Sequence, residues 1–293
     1  MTTLRLILGD QLNPAHGWFT EVAPDAIYTL MEIRQETDYV LHHAQKIIGI
    51  FAGMRSLAEQ LSAKGHRIHY VAIDAQDNQQ SLTKNLGWLI QHYQAQRFEY
   101  QAPDEYRLDK QLKDFTQSLS IKSAMVSSEH FYTERDDCAK IFKDQKQWLM
   151  ERFYRLMRTK HLVLMQDETQ DAKKPLGGQW NFDQENRKSW PGTPAEPVDA
   201  RLRHDHRLLW ESIKNAGVNS FGQPQAEDFR WPLNRQEALA HLEVFIEHTL
   251  PEFGNFQDAM STKGWRLFHS LISFALNTKM LNPREVVSKA EQV

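Results

Sequence analysis

Gly9-Asp10-Gln11 sets a carboxylate and an amide directly behind a mostly apolar run, Leu4-Arg5-Leu6-Ile7-Leu8. Glycine lets the backbone approach a bound group closely, and Asp10 and Gln11 then offer hydrogen-bonding groups at the end of a strand. Open α/β sheets place their ligands at that edge. The same three residues also suit a plain turn. Other chemistry-bearing residues point less far. His204 and His206 flank Asp205, but two histidines without a further ligand cluster make a weak metal site. Glu168, Asp171, Asp183 and Glu185 lie in a polar connector. No apolar pocket there would raise one carboxyl pKa for paired-carboxylate hydrolysis. Arg152, Arg155 and Arg158 recur at every third position. They share one side of a helix, either as a solvated face or as phosphate contacts. No catalytic residue is assigned.

The elements that must position these residues are read from hydrophobic periodicity. Strands are expected at 4–8, 26–33, 67–74, 98–101 and 123–127. Between them lie an amphipathic helix from Ala44 to Leu61, stopped by Lys64-Gly65, a helix after Ser81, and one at 108–119. Strands alternating with helices give a doubly wound parallel sheet of five strands, and right-handed crossovers favour the order 3-2-1-4-5. The first strand, apolar on both faces, then sits in the centre at the reversal point. Its carboxyl end opens into the crevice.

Beyond the sheet, a long helix is expected at 137–160. Composition shifts near residue 166, and Pro191, Pro194 and Pro197 make a stiff connector. The expected organisation is an α/β domain at 1–165, a linker at 166–200 and an all-helical region at 201–293. Helices are expected at 208–215, 235–248 and 265–278, with another from Pro283. The chain of 293 residues carries a formal charge of −3, so no global basic signal for nucleic acid exists. A single cysteine, Cys138, excludes an internal disulfide and a thiolate cage within this sequence. No apolar run reaches transmembrane length and the start lacks signal-peptide features, so a cytoplasmic protein without membrane contact is expected. A G-x-G-x-x-G turn and a P-loop are both missing, which ranks a nucleotide-binding reading last.

Leu6-Ile-Leu-Gly-Asp-Gln-Leu12, Tyr39-Val-Leu-His-His43, Lys46-Ile47, Met54-Arg55, Gly177-Gly-Gln-Trp-Asn-Phe-Asp-Gln-Glu-Asn-Arg187 and Gln257-Asp-Ala-Met260 together resemble the iron–sulfur bacterial cryptochrome and photolyase family, the prokaryotic (6-4) photolyases. The resemblance runs through the whole sequence. It implies an α/β antenna domain, an interdomain segment and a helical FAD domain with a 4Fe-4S cluster. The implied activity is light-driven repair of (6-4) photoproducts in UV-damaged DNA, or blue-light reception without repair. It further implies 6,7-dimethyl-8-ribityllumazine as antenna, held by Gly9, Asp10, Gln11, Glu36, Tyr39 and Ile50. Ser270, Leu271, Ser273 and Asn277 match the early flavin-contacting helix. Arg152, Arg155 and Arg158, with Lys173 and Lys174, become candidates for phosphate contact.

The cluster cysteines of the family have no counterpart, and most flavin-contacting segments would follow residue 293. The sequence therefore reads as cut off inside the FAD domain, retaining antenna binding without repair. Half of such a domain would expose Leu267, Leu271 and Phe274, inviting self-association.

Overall fold

The structure is a computed structural model and describes residues 1–293 except 167–173, 183, 184 and 187. Its first elements are β1 (Thr3–Leu6), β2 (Ala26–Met31), α1 (Arg34–Asp38), β3 (His42–His43), α2 (Ala44–Ala63), β4 (Arg67–Val71), α3 (Leu82–His92), β5 (Arg97–Gln101), α4 (Tyr106–Ser118) and β6 (Lys122–Val126). They are followed by α5 (Asp137–Ile141), α6 (Met150–His161), α7 (Arg207–Asn215), β7 (Ser220–Phe221), α8 (Arg235–His248), α9 (Leu250–Phe256), α10 (Ser273–Asn277) and α11 (Pro283–Glu291). No helix among the described residues is long and apolar enough to cross a membrane.

The five-stranded sheet runs β4-β2-β1-β5-β6 with every pairing parallel. Counted along the chain, that is the expected doubly wound order with β1 in the centre. β1 is less apolar than anticipated. Leu4 and Leu6 are fully buried, whereas Arg5 faces the other side, where its guanidinium donates to Glu99 Oε2 and the Tyr28 hydroxyl at 2.8 Å each. Those acceptors sit on its register partners in the flanking strands, so the charge is matched across three strands rather than left in the core. Leu4, Leu6 and Phe98 share one cluster with Leu82, Leu86 and Leu89 of α3 and Leu108 and Leu112 of α4. Right-handed crossovers put α2 on the opposite face.

The chain divides into two units; the boundary expected at 165 falls inside one of them, whereas that at 200 coincides with a change of unit. One comprises 1–130, 201–240 and 273–281; the other comprises 131–200, 241–272 and 282–293. The first unit therefore takes back two late segments. Within it, β7 pairs in parallel with β3, a short strand in a region expected to be wholly helical. Segment 273–281 packs on the small side of α2: the Leu12 amide donates to the Thr278 carbonyl at 2.8 Å, and Gly49 and Gly53 admit Phe274 and Met280.

Two expected helices do not form as one piece. The helix expected at 137–160 splits into α5 and α6, because Asp144 takes a left-handed φ of 63° and Phe142 stacks on Trp148 with centroids 5.5 Å apart. At 265–278 only α10 is helical. Leu267 and Leu271 have φ of 49° and 55°, and Glu196 accepts from the Arg266 and Leu267 amides. Leu267 is buried with Trp190, Phe256 and Phe268, while in the first unit Phe274 is half-buried. Of the three residues expected to form an exposed apolar face, Leu267 is thus buried and Leu271 and Phe274 are half-buried.

Two glycines test the packing on α2. A Cβ at Gly53 would lie 2.7 Å from Leu12 Cδ1 and 2.9 Å from Met280 Cε, whereas one at Gly87 of α3 meets nothing within 4 Å. Gly53→Ala is expected to destabilise the protein by about 1 kcal/mol or more through overpacking. Gly87→Ala should stabilise it by about 0.5–1 kcal/mol through helix propensity. Denaturant titration of both variants checks the opposite signs.

Candidate functional site

A cleft of about 740 Å³ opens at the carboxyl ends of β1 and β2. Its floor is apolar, with Ile7, Leu8, Ile33, Ile47 and Ile50, and its rim carries Asp10, Glu36, Tyr39, Lys46 and Glu105. Glu105 and Leu108 follow β5, so the cleft lies where the strand order reverses between β1 and β5. Late residues finish it: Trp231, Ser273, Phe274, Asn277 and Thr278. The Trp231 indole donates to Gln45 Oε1 at 3.2 Å and lies under the Arg201 guanidinium, 4.8 Å from its centroid.

Three charged groups shape the rim. Arg107 donates to both oxygens of Glu36, at 3.0 and 2.8 Å, and to both of Glu105, at 2.9 Å each. The same guanidinium stands 4.2 Å from the Tyr39 ring centroid. Burial, then the Glu105 carboxylate, pushes the Tyr39 hydroxyl above its usual range against the pull of Arg107. Lys46 Nζ lies 3.3 Å from His42 Nδ1. Burial, then the charge of Lys46, holds the His42 imidazole below its usual range, so the ring is neutral at pH 7 and accepts from the lysine. At the third point Lys279 Nζ, on a side chain only 2% exposed, sits 3.0 Å from Asp10 Oδ2 and 2.6 Å from Asp104 Oδ2. Burial pushes the Asp10 carboxyl above the usual range, the Lys279 ammonium pulls it back, and Asp104 adds a smaller upward push.

The cleft gathers five of the six antenna candidates: Gly9, Asp10, Glu36, Tyr39 and Ile50. Gly9 is required by close approach, since a Cβ there would lie 2.9 Å from Ile50 Cγ2. Gln11 is not a lining residue. It is 1% exposed, accepts from the Leu8 amide at 2.9 Å and donates to the carbonyls of Gln101 and Ala102, pinning the turn to the end of β5. The four flavin candidates separate. Ser273 and Asn277 line this same cleft, whereas Ser270 and Leu271 belong to the second unit. There the Ser270 carbonyl is bonded to His241 Nε2 at 3.0 Å.

The arginine row of α6 also divides. Arg158 is buried and donates to the carbonyls of Val163 and Leu164, closing the helix end where Leu162 turns left-handed. Arg155 pairs with Glu151 at 2.7 Å and lies over Trp180, and Arg152 and Lys174 are exposed. Lys173, Glu168, Asp171 and Asp183 lie outside the described residues. His204 is bonded to Glu237 at 3.0 Å, and Arg207 holds the Asp205 carboxyl down at about 2. Among the described residues no group of three or more potential ligands could hold a metal ion. Arg107, Asp104, Trp231 and Lys279 carried no local signal, because each gains its role only from a partner distant in sequence.

The fold and cleft define a doubly wound α/β protein with a cleft at the switch point of its sheet. The family described as deoxyribodipyrimidine photo-lyase-related protein matches residues 5–231, and the chain belongs to that family. It is 34% identical over 301 residues to a (6-4) photolyase of Agrobacterium fabrum (strain C58), an alignment covering 100% of this chain and 57% of that protein. In structure it is similar to a bacterial class III photolyase from Agrobacterium tumefaciens, with a TM-score of 0.58 and 15% identity over 97% of this chain and 52% of that one. The chain thus spans about half the length of both.

His42 supplies a pH test. Its folded pKa lies below the ordinary 6.5, so its contribution to stability is present above that value and is lost as pH falls through the folded pKa. Lys46→Met removes one of the two leading causes. NMR titration of the imidazole is expected to show a low value in the wild type and a rise toward 6.5 in the variant.

Proposed function

We propose that this chain forms the antenna portion of a photolyase-related protein, binding a flat heteroaromatic chromophore, 6,7-dimethyl-8-ribityllumazine, in the cleft at the switch point. The observation that carries this reading is the cleft itself. Its volume falls in the range of roughly 300–1,000 Å³ common for small-ligand sites, and it joins an apolar floor to a rim of charged and hydroxyl groups. When bound, such a chromophore supplies absorption of near-visible light. The protein's own residues bind and orient it. Ile50 and the other floor side chains exclude water from the ring faces, and Trp231 and Phe274 add aromatic walls. Asp10, Glu36 and Glu105 accept from hydroxyl or ring donors, while Lys46 donates to carbonyl edges. Ser273 and Asn277, matched by resemblance to flavin contacts, serve the antenna site in this reading.

The residues present do not fit the family's four-iron cluster. A four-iron cluster needs several thiolates, and the sequence has one cysteine. The four flavin candidates are divided between the two units. A second reading is a chromophore-binding or light-signalling module in the cytoplasm that performs no repair. In the repair reading, UV-damaged DNA is the partner, and Arg152, Arg155 and Lys174 are the exposed cations on offer. Arg152→Glu would then weaken DNA binding and reduce the slope of its salt dependence by about 1 or more. An unchanged slope would remove that surface from the reading.

Absorption and fluorescence titration of the purified chain with the lumazine tests the primary proposal. Saturable binding is expected, without co-purifying flavin. Gly9→Val pushes methyl groups toward Ile50 and should weaken binding by about ten-fold or more, equivalent to roughly 1.4 kcal/mol. Gly87→Ala should leave it unchanged. No saturable binding by the folded wild type would overturn the antenna reading.

A further inference from the structure

Segment 273–281 reaches the first turn through a contact that the cleft alone does not explain. Lys279 is 2% exposed, and its Nζ lies 3.1 Å from the Asp10 backbone carbonyl as well as 3.0 Å from Oδ2 of the same residue. Its other ion pair is with Asp104, at 2.6 Å. Burying an ammonium is costly unless its donors are all taken up. Three acceptors here match the three protons of Lys279. Two of the acceptors belong to one residue, so the lysine fixes both the backbone and the side chain of Asp10.

The neighbouring structure is built around that contact. The Leu12 amide donates to the Thr278 carbonyl, Gly53 leaves room for Met280 and Leu12, and Thr278 lines the cleft beside Ser273 and Asn277. We propose that Lys279 is the positioning residue of the cleft, holding the Asp10 carboxylate and carbonyl so that the first turn and segment 273–281 form one ligand-facing wall. This rests on the reading of the cleft as the chromophore site. Lys279 itself is not a lining residue and acts on the ligand through Asp10. The charged or titratable groups around Asp10 are Lys279, Asp104 and His130, the last held below the usual imidazole range by burial and then by Lys279.

The experiment uses the full chain with Lys279→Met, Lys279→Arg, Asp104→Asn and, as an exposed-lysine control, Lys110→Met. The first readout needs no ligand: the Asp10 carboxyl is titrated by NMR. In Lys279→Met its pKa is expected to rise by roughly one unit or more, as for loss of an adjacent opposite charge. In Asp104→Asn it should fall, and Lys110→Met should leave it unmoved. The second readout is lumazine affinity, expected to drop ten-fold or more in Lys279→Met and to be largely retained in Lys279→Arg. A folded Lys279→Met protein with an unmoved Asp10 titration, or with wild-type lumazine affinity, overturns the proposal. If Lys279→Met does not fold, the Asp104→Asn titration decides, and an unmoved Asp10 there overturns it as well. Failure of the wild type to bind lumazine would strike the antenna reading, while the Asp10 titration would still decide the positioning role.

Discussion

The distance at which α2 sits from its neighbours governs both the fold of the first unit and the shape of its cleft. Three glycines set that distance. A Cβ at Gly9 would meet Ile50 at 2.9 Å, one at Gly49 would meet Phe274 at 2.9 Å, and one at Gly53 would meet Leu12 at 2.7 Å. On one side α2 therefore touches the turn after β1, and on another it receives the segment around α10. Close-packed interiors transmit small volume changes, so any side chain at these positions moves a cleft wall. The cleft is shaped by backbone approach first, and the polar rim is added to that frame.

The polar rim follows a common rule. Each carboxylate near the cleft has a cation beside or behind it: Glu36 and Glu105 share Arg107, while Asp10 and Asp104 share Lys279. Leaving such carboxylates unpaired in a half-buried cleft would cost more than solvent could return. Sharing one cation between two acids leaves net negative charge and spare acceptor capacity at each point. Lys46 is arranged differently, against a neutral His42 rather than a carboxylate, and keeps its positive charge available on the rim. The cleft is thus preorganised with acceptors on two sides and a donor on a third, an arrangement that would lower the ordering cost of the chromophore binding proposed above.

Much of this was legible in the sequence, for identifiable reasons. Period-2 and period-3.6 patterns marked the five strands of the main sheet with α2, α3 and α4, though not α1 or β3, and crossover handedness fixed the strand order. Gly9 and Asp10 after β1 marked the cleft, and Glu36 came from the family resemblance. What was hidden depended on partners far along the chain. Nothing near Lys279 distinguishes it from a solvated lysine, and its acceptors lie at Asp10 and Asp104. The three-residue spacing of Arg152, Arg155 and Arg158 showed which side of α6 they share. It did not show that Arg158 is consumed by carbonyls at the helix end. Apolar residues at 267, 268, 271 and 272 read as one helical stripe, yet Glu196 captures the amides of Arg266 and Leu267. The stripe is buried without helical geometry.

A site assembled this way resists being cut out as a sequence block. Residues 1–130 contain every strand of the main sheet, so the sheet and its flanking helices have their own hydrophobic cluster. The cleft has no such autonomy. Without 273–281, Asp10 after β1 and Asp104 after β5 would lose the ammonium between them, and Gly49 and Gly53 would face space that Phe274 and Met280 now fill. Two acids without a counter-ion and an open groove on α2 both act against the geometry that a flat ring requires. The hydrophobic cluster of the sheet and the geometry of the cleft are consequently drawn from different parts of this chain, and the second uses its late segments.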